Sequence, residues 1–339
     1  PVDPYGLSEE LKAAKEAEIP VIAYDDLIMN TDGVKYYVTF GGRQIGQLIG
    51  QEIIDKEELD KLQEEKGSKT IEFLMGSLDD TQALFFYNGL MEKLQPYLDD
   101  GTLVCKSGQI TFEETGILRW SMDEAQSRAE DILEEAYQDG EAPDIICTGF
   151  DGAAEGAVNA LQNNGLTLGE NWPMITGVGC DEDAVRDIAE SEIACSVFMD
   201  RRVLADQAED MVNVYLHGED DPEVNDYEQY DNGTKIIASY LCEPQLINID
   251  NYEILIDNGY YTEDEVKPET TPTPEPTVTP EITEEPDVTA TPEVTESPEA
   301  TITPEVTEES EETATPTPTE KVTPTPKERV TLKRSTKNK

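Results

Sequence analysis

The chain predicts an α/β fold, a parallel sheet with helices on both faces. Three observations predict it. Short apolar runs of strand length alternate with amphipathic stretches of helix length from residue 7 to residue 241. Several of the short runs end on acids: IPVIAYDD at Asp25 and Asp26, IEFLMGSLDD at Asp79 and Asp80, DIICTGFDG at Asp151, PMITGVGCDED at Asp181. The alternation then stops near Val266-Lys267-Pro268, where TPTPEPTVTPEITEEP and its variants take over.

Each element follows from its pattern. Leu7 to Ala17 has the spacing of an amphipathic helix, with Ser8 as N-cap and Glu9 and Glu10 in the first turn, where the helix dipole favours negative charge. Pro20 to Tyr24 and Tyr36 to Phe40 are buried strands. Gln44 to Glu64 repeats with a helical period. Ile71 to Met75 is a strand, Thr81 to Leu94 a helix, and Leu103 to Lys106 a strand that opens into the loop Ser107-Gly108-Gln109. Asp123 to Tyr137 is helical, Asp144 to Thr148 a strand, and Gly152 to Gln162 helical. Met174 to Val178 is a strand before a short helix from Asp183. Ile193 to Phe198 is a strand, Arg202 to His217 a helix, and Lys235 to Leu241 closes the set.

Open parallel sheets bind ligands in the crevice outside the carboxyl ends of their strands. Here those ends carry carboxylates that accept hydroxyls, not a glycine-rich phosphate cradle. The pattern points to a neutral polyhydroxylated ligand, most simply a sugar. Charge agrees: 75 acids against 24 bases give −51, which argues against nucleic acid and anionic membrane surfaces and favours a soluble monomer. No apolar run is long enough for a membrane span. The five cysteines, 105, 147, 180, 195 and 242, form no CxxC pair, so buried free thiols are expected and a zinc site is not. One histidine, His217, stands at a helix end, which removes Ser-His and Cys-His catalysis. The acidic run GEDDPEVNDYEQYDNG lacks the ligand spacing of a calcium loop and is expected to be solvated. No cofactor and no metal are expected. The proline- and threonine-rich segment 267–339 has too little apolar surface to fold and is expected to be a disordered tail, turning basic from Lys327.

Five strings carry a family resemblance: IPVIAYDDLIMNTDGVKYYVTF, GSLDDTQALFFYNGLM, SGQITFEETGILRW, GFDGAAEGAV and EVNDYEQYDNGTKIIASYL. Over residues 1–261 the chain resembles the type I periplasmic sugar-binding proteins, in the multiple-monosaccharide branch (ChvE type), with xylose-binding proteins nearby. The resemblance implies two doubly wound parallel-sheet lobes joined by three crossing segments, with the ligand between them. Residues 1–40 and 200–234 would form lobe one, 41–199 and 235–266 lobe two, and 267–339 the tail. The chain opens at Pro1-Val2-Asp3-Pro4 without an initiator methionine. On that template lobe one is incomplete, and its opening strands, a signal peptide and a lipoprotein cysteine are expected upstream.

The resemblance also implies a function, that of an extracytoplasmic receptor without enzymatic activity. It would bind an aldose such as xylose, glucose, galactose or arabinose and deliver it to the permease of an ABC importer, in some bacteria also to a sensor or chemotaxis receptor. The location would be the periplasm or a lipid-anchored position on a Gram-positive surface. Asp25 stands where the family accepts hydroxyls at a strand end, and an ionised carboxylate accepts two at once. Asp26 departs from the family's Arg or Lys. Asp79 and Asp80 combine helix capping with sugar contact, and Gln82 belongs to the same turn. Trp120 matches the aromatic that stacks on the apolar face of the sugar. Arg119 is a donor beside it. Phe150, Asp151 and Asp181 occupy further strand ends, and Met199 stands where relatives carry a polar or basic group. Two other readings come from different classes: a cell-surface sensor or adhesion module, and a glycosidase acting through Asp79 and Asp80, which would need opposed carboxylates at a defined separation.

Overall fold

The computed structural model describes residues 3–137, 140–169, 171–218 and 221–266. The expected tail, 267–339, lies outside the described residues. In chain order the elements are α1 (Ser8–Glu16), β1 (Val21–Tyr24), β2 (Val34–Phe40), α2 (Gly42–Lys56), α3 (Leu59–Glu65), β3 (Lys69–Leu74), α4 (Thr81–Asp100) and β4 (Leu103–Val104). There follow α5 (Phe112–Thr115), a 3-10 turn at Leu118–Trp120, α6 (Met122–Ala136), β5 (Ile145–Thr148), α7 (Asp151–Asn163), β6 (Met174–Ile175), α8 (Glu182–Glu190) and β7 (Cys195–Phe198). The last are α9 (Arg201–His217), β8 (Ala238–Cys242), β9 (Gln245–Asn248), α10 (Ile254–Asp257) and α11 (Glu263–Val266).

Two parallel sheets result. The smaller has the order β1-β2-β8, with Tyr36 opposite Ala238 and Ile22 opposite Tyr36. The larger has the order β4-β3-β5-β6. Parallel bridges from Thr176 to Cys195 and from Gly179 to Phe198 bring β7 alongside, and β9 adds an antiparallel edge. The chain passes between the sheets three times, at residues 40–42, 199–201 and 243–245.

Helices cover both faces of the larger sheet, which is why β3 and β5 read as nearly continuous apolar runs. On one face Ile49, Ile53, Leu90 and Leu94 of α2 and α4 pack on Ile71 and Phe73. On the other, Ala129, Leu133, Ala157 and Leu161 of α6 and α7 pack on Leu74 and Ile146. The α2–α4 pair approaches very closely: a Cβ at Gly46 would sit 2.0 Å from the Phe86 carbonyl oxygen, and one at Gly89 1.9 Å from that of Arg43. Leu11, Ala23, Val34, Tyr37, Tyr230 and Ile237 form a separate core under the smaller sheet.

Four expectations change. The helix from Gln44 to Glu64 divides, because Glu58 turns left-handed at φ 47° and so swings Leu59 into the core. Ser8 is the first helical residue, and Leu7 holds the N-cap without a side-chain bond. The lobe boundary at 235 moves to 243–245, since β8 hydrogen-bonds to β2 before the chain crosses. Of the acidic run 218–233, the described residues 221–233 are solvated only in part. Tyr230 and Asn232 are fully buried, and the Asn232 amide donates to the carbonyls of Ile28 (3.1 Å) and Thr31 (2.7 Å). All five cysteines are free; four are buried and Cys105 is half-buried.

Candidate functional site

The crossing at 40–42 sets the ends of the two sheets side by side, and a cleft opens between them. A cavity of about 200 Å3 lies in it. Asp25 and Asp26, just past β1, form one wall with Thr39 and Phe40 at the end of β2. The opposite wall comes from Asp80, Gln82, Ala83 and Phe86 at the start of α4, and from Trp120. Gly149, Val178 and Met199, at the ends of β5 and β7 and beyond β6, complete it. A second cavity of about 380 Å3 shares Asp26, Asp80, Gln82 and Trp120 and adds Tyr5, Met29, Asp79 and Arg119.

Asp25 adopts a left-handed backbone, φ 64°. Its N–H donates to the Val38 carbonyl (2.9 Å), and its own carbonyl accepts from the Tyr37 hydroxyl. Asp25 is exposed to solvent along the cleft. Partial desolvation, then Asp26 beside it, raises its pKa, and Arg201 opposes the shift. Asp80 is the N-cap of α4 and accepts from the Gln82 N–H (2.7 Å). Burial raises its pKa too, against that hydrogen bond and with help from Asp26 and Asp79. Asp79 accepts from the Ser77 hydroxyl, whose oxygen accepts from the Arg119 N–H at 2.8 Å.

Trp120 is 37% exposed, and its ring meets Phe150 edge-on at 5.4 Å between centroids. Arg119 and Trp120 both have positive φ, 57° and 55°. The indole lies over Gly76, where an added Cβ would come within 2.3 Å of its ring. Gln82 is occupied otherwise than expected. Its amide nitrogen donates to the Tyr37 hydroxyl (2.8 Å) and to Thr39 Oγ1 (3.1 Å), which ties α4 to β2 across the cleft.

The structure thus brings Asp25, Asp26, Asp79, Asp80, Gln82, Arg119, Trp120 and Met199 to one cleft, with Phe150 supporting the indole. Asp151 and Asp181 line neither cavity. The Asp151 side chain is 1% exposed and accepts from Ser196 Oγ (2.6 Å) and the Asp181 N–H (2.7 Å), so it binds strand ends together. Burial pushes its pKa to about 7. Asp181 holds the N-cap position of α8 at the surface, without a side-chain capping bond. Sequence reasoning passed over Thr39 and Phe40. The end of β2 carries no acid, but the strand-end rule applied to every strand would have included them. Among the described residues no group of acids, histidines or cysteines is arranged to hold a metal ion, and no helix is long and apolar enough to cross a membrane.

Two sheets, three crossings and a polar, aromatic-walled cleft at the strand ends define a two-lobed α/β binding protein of the type I periplasmic fold. The chain belongs to the periplasmic binding protein domain family, whose profile matches residues 1–220. It is 40% identical over 268 residues to the multiple sugar-binding periplasmic receptor ChvE of Rhizobium radiobacter, covering 78% of this chain and 74% of the receptor. Among solved structures, it resembles an ABC transporter solute-binding protein from Clostridium phytofermentans with bound β-D-glucose, at 40% identity and a TM-score of 0.71, over 78% of this chain and 80% of that one. A carbohydrate transporter solute-binding protein from Chloroflexus aurantiacus, in complex with D-glucose, matches at 26% identity and a TM-score of 0.64, over 78% of this chain and 79% of that one. The family is one of extracytoplasmic solute-binding receptors, not enzymes, and this sets aside a glycosidase role for Asp79 and Asp80.

Proposed function

We propose that this protein is the extracytoplasmic receptor for a monosaccharide, an aldose, which it hands to the permease of an ABC importer. The observation that carries the reading is the cleft: carboxylates on both walls to accept hydroxyls, and an exposed indole beside them to cover an apolar ring face. Glucose-bound relatives at 40% and 26% identity support it. Asp25, Asp26 and Asp80 are the proposed acceptors, Trp120 the stacking platform and Arg119 a donor at the rim. Asp79 and Gln82 position their neighbours, Phe150 backs the indole, and Met199 closes the apolar side. Residues 1–40, 200–242 and 41–199 with 245–266 are the two moving bodies of this proposal. Attachment to the cell surface through a lipid belongs to it as well, and labelling with a fatty-acid probe tests that part.

A thermal-shift screen with D-glucose, D-galactose, D-xylose and L-arabinose tests the sugar, since a ligand of the folded state alone raises the melting temperature. The expected result is a rise with at least one of them. No rise at millimolar aldose would overturn the reading.

A further inference from the structure

Gln82 lines both cavities, but its hydrogen bonds run to the frame that holds them. Its amide nitrogen is committed to Tyr37 and Thr39, both on β2. The Tyr37 hydroxyl has one proton, and that proton goes to the Asp25 carbonyl. Gln82 is therefore the donor in its bond with Tyr37. A directed relay results, from Gln82 through Tyr37 to the backbone of Asp25. Asp25 holds a left-handed conformation, φ 64°, which a non-glycine residue keeps only where its surroundings fix it.

The relay crosses from one body to the other. Asp25 follows β1, and Tyr37 and Thr39 lie on β2, in the smaller sheet; Gln82 lies on α4, which covers the larger one. It crosses beside the connection at 40–42, where a Cβ on Gly42 would meet Gln82 Oε1 at 2.6 Å and Phe85 Cβ at 3.1 Å. Phe85, almost one turn further along α4, packs against the core under the smaller sheet. Its ring lies 5.0 Å from that of Tyr230, which in turn meets Tyr37 edge-on at 5.1 Å. The start of α4 is thus a joint between the two bodies, polar at Gln82 and apolar at Phe85. Hydrogen bonds across a joint favour one spacing of the bodies over others, whatever ligand lies between them.

We infer that Gln82 is a positioning residue of the receptor. It latches α4 to β2, sets the spacing of the cleft walls and, through Tyr37, fixes the backbone of Asp25. The inference rests on the sugar-receptor reading and gives Gln82 a role apart from sugar contact.

Calorimetry on the intact protein with D-glucose, D-galactose and D-xylose tests it. Gln82→Met keeps the length of the side chain and loses both bonds. It should weaken every aldose that the parent binds by one common factor, about fivefold. Tyr37→Phe keeps the ring and breaks the relay at its middle. It should weaken the same sugars by a similar or larger factor, and the double variant should bind no more weakly than the weaker single one. A factor that differs among the sugars would make Gln82 a sugar contact. Additive losses in the double variant would separate Gln82 from Tyr37. Unchanged affinity, with or without a lowered melting temperature, would leave the bonds to packing alone. Each of these outcomes overturns the latch and leaves the receptor reading standing. Binding of no aldose by the parent would overturn both.

Discussion

Trp120 reaches the cleft through an unfavourable backbone. Non-glycine residues seldom take positive φ, and here Arg119 and Trp120 do so in succession. Such strain persists where the surroundings fix it, and here it sets the indole over Gly76 and against Phe150. Trp120→Ala should weaken aldose binding by about 1 kcal/mol, roughly fivefold. Calorimetry showing unchanged affinity would make the indole a packing residue only. Gly76→Ala tests the same surface from below, because its methyl would displace the ring. It should lower affinity and change the Trp120 fluorescence, while Trp172, held by its own hydrogen bond to the Glu192 carbonyl, keeps its signal. The carboxylates of the cleft were legible in sequence because they punctuate strand ends. Asp151 shows the limit of that rule. It ends a strand like the others, yet Ser196 and the Asp181 N–H draw it into the sheet, and partners so distant in sequence leave no local mark. Tyr37 was hidden for the opposite reason: its strand reads as core, and its hydroxyl nevertheless fixes the Asp25 carbonyl.

At the scale of elements, periodicity located every strand of the two parallel sheets, and their ends moved by a few residues. It missed β9, a short polar-flanked edge, and the break between α2 and α3, which depends on one left-handed glutamate. The acidic run 218–233 reads from its charge as solvent-facing. Its buried anchors, Tyr230 and Asn232, are single residues with no periodic neighbours. Asn232→Ala should cost about 2 kcal/mol, since it strips donors from two buried carbonyls and an acceptor from the Thr234 and Lys235 N–H groups. Urea unfolding measures that loss; a value near zero would mean that water replaces the amide. The α2–α4 contact is the other sensitive joint. Gly89→Ala puts a methyl into the Arg43 carbonyl and must push the helices apart, at a cost of about 1–3 kcal/mol. A melting temperature within a degree or so of the parent would show that the pair has slack.

Over the whole molecule the excess of acid sets how stability depends on pH. Asp151, Glu155 and Asp187 each have a pKa pushed to about 7, first by burial and then by neighbouring carboxylates such as Asp181, Asp183 and Glu192. In the unfolded chain such groups release their protons near pH 4. Between about pH 4 and pH 7 the folded protein therefore binds more protons than the unfolded one, and stability falls as pH rises through that window. Self-repulsion of a chain carrying −51 acts in the same direction. Below about pH 4 the sign reverses. Asp200, Glu92 and Glu114 have lowered pKa values, through Arg202, Arg43 and the Thr111 N–H respectively, and their contributions are lost as acid protonates them. The melting temperature should therefore be highest near about pH 4 and several degrees lower at about pH 8. Scanning calorimetry across that range measures it. Replacing Glu155 and Asp187 together by Gln and Asn should flatten the decline, because both then stay neutral at every pH. A melting temperature that rises from pH 5 to pH 8 would mean that these carboxyls ionise freely in the folded protein, and that α7 and α8 open enough to hydrate them.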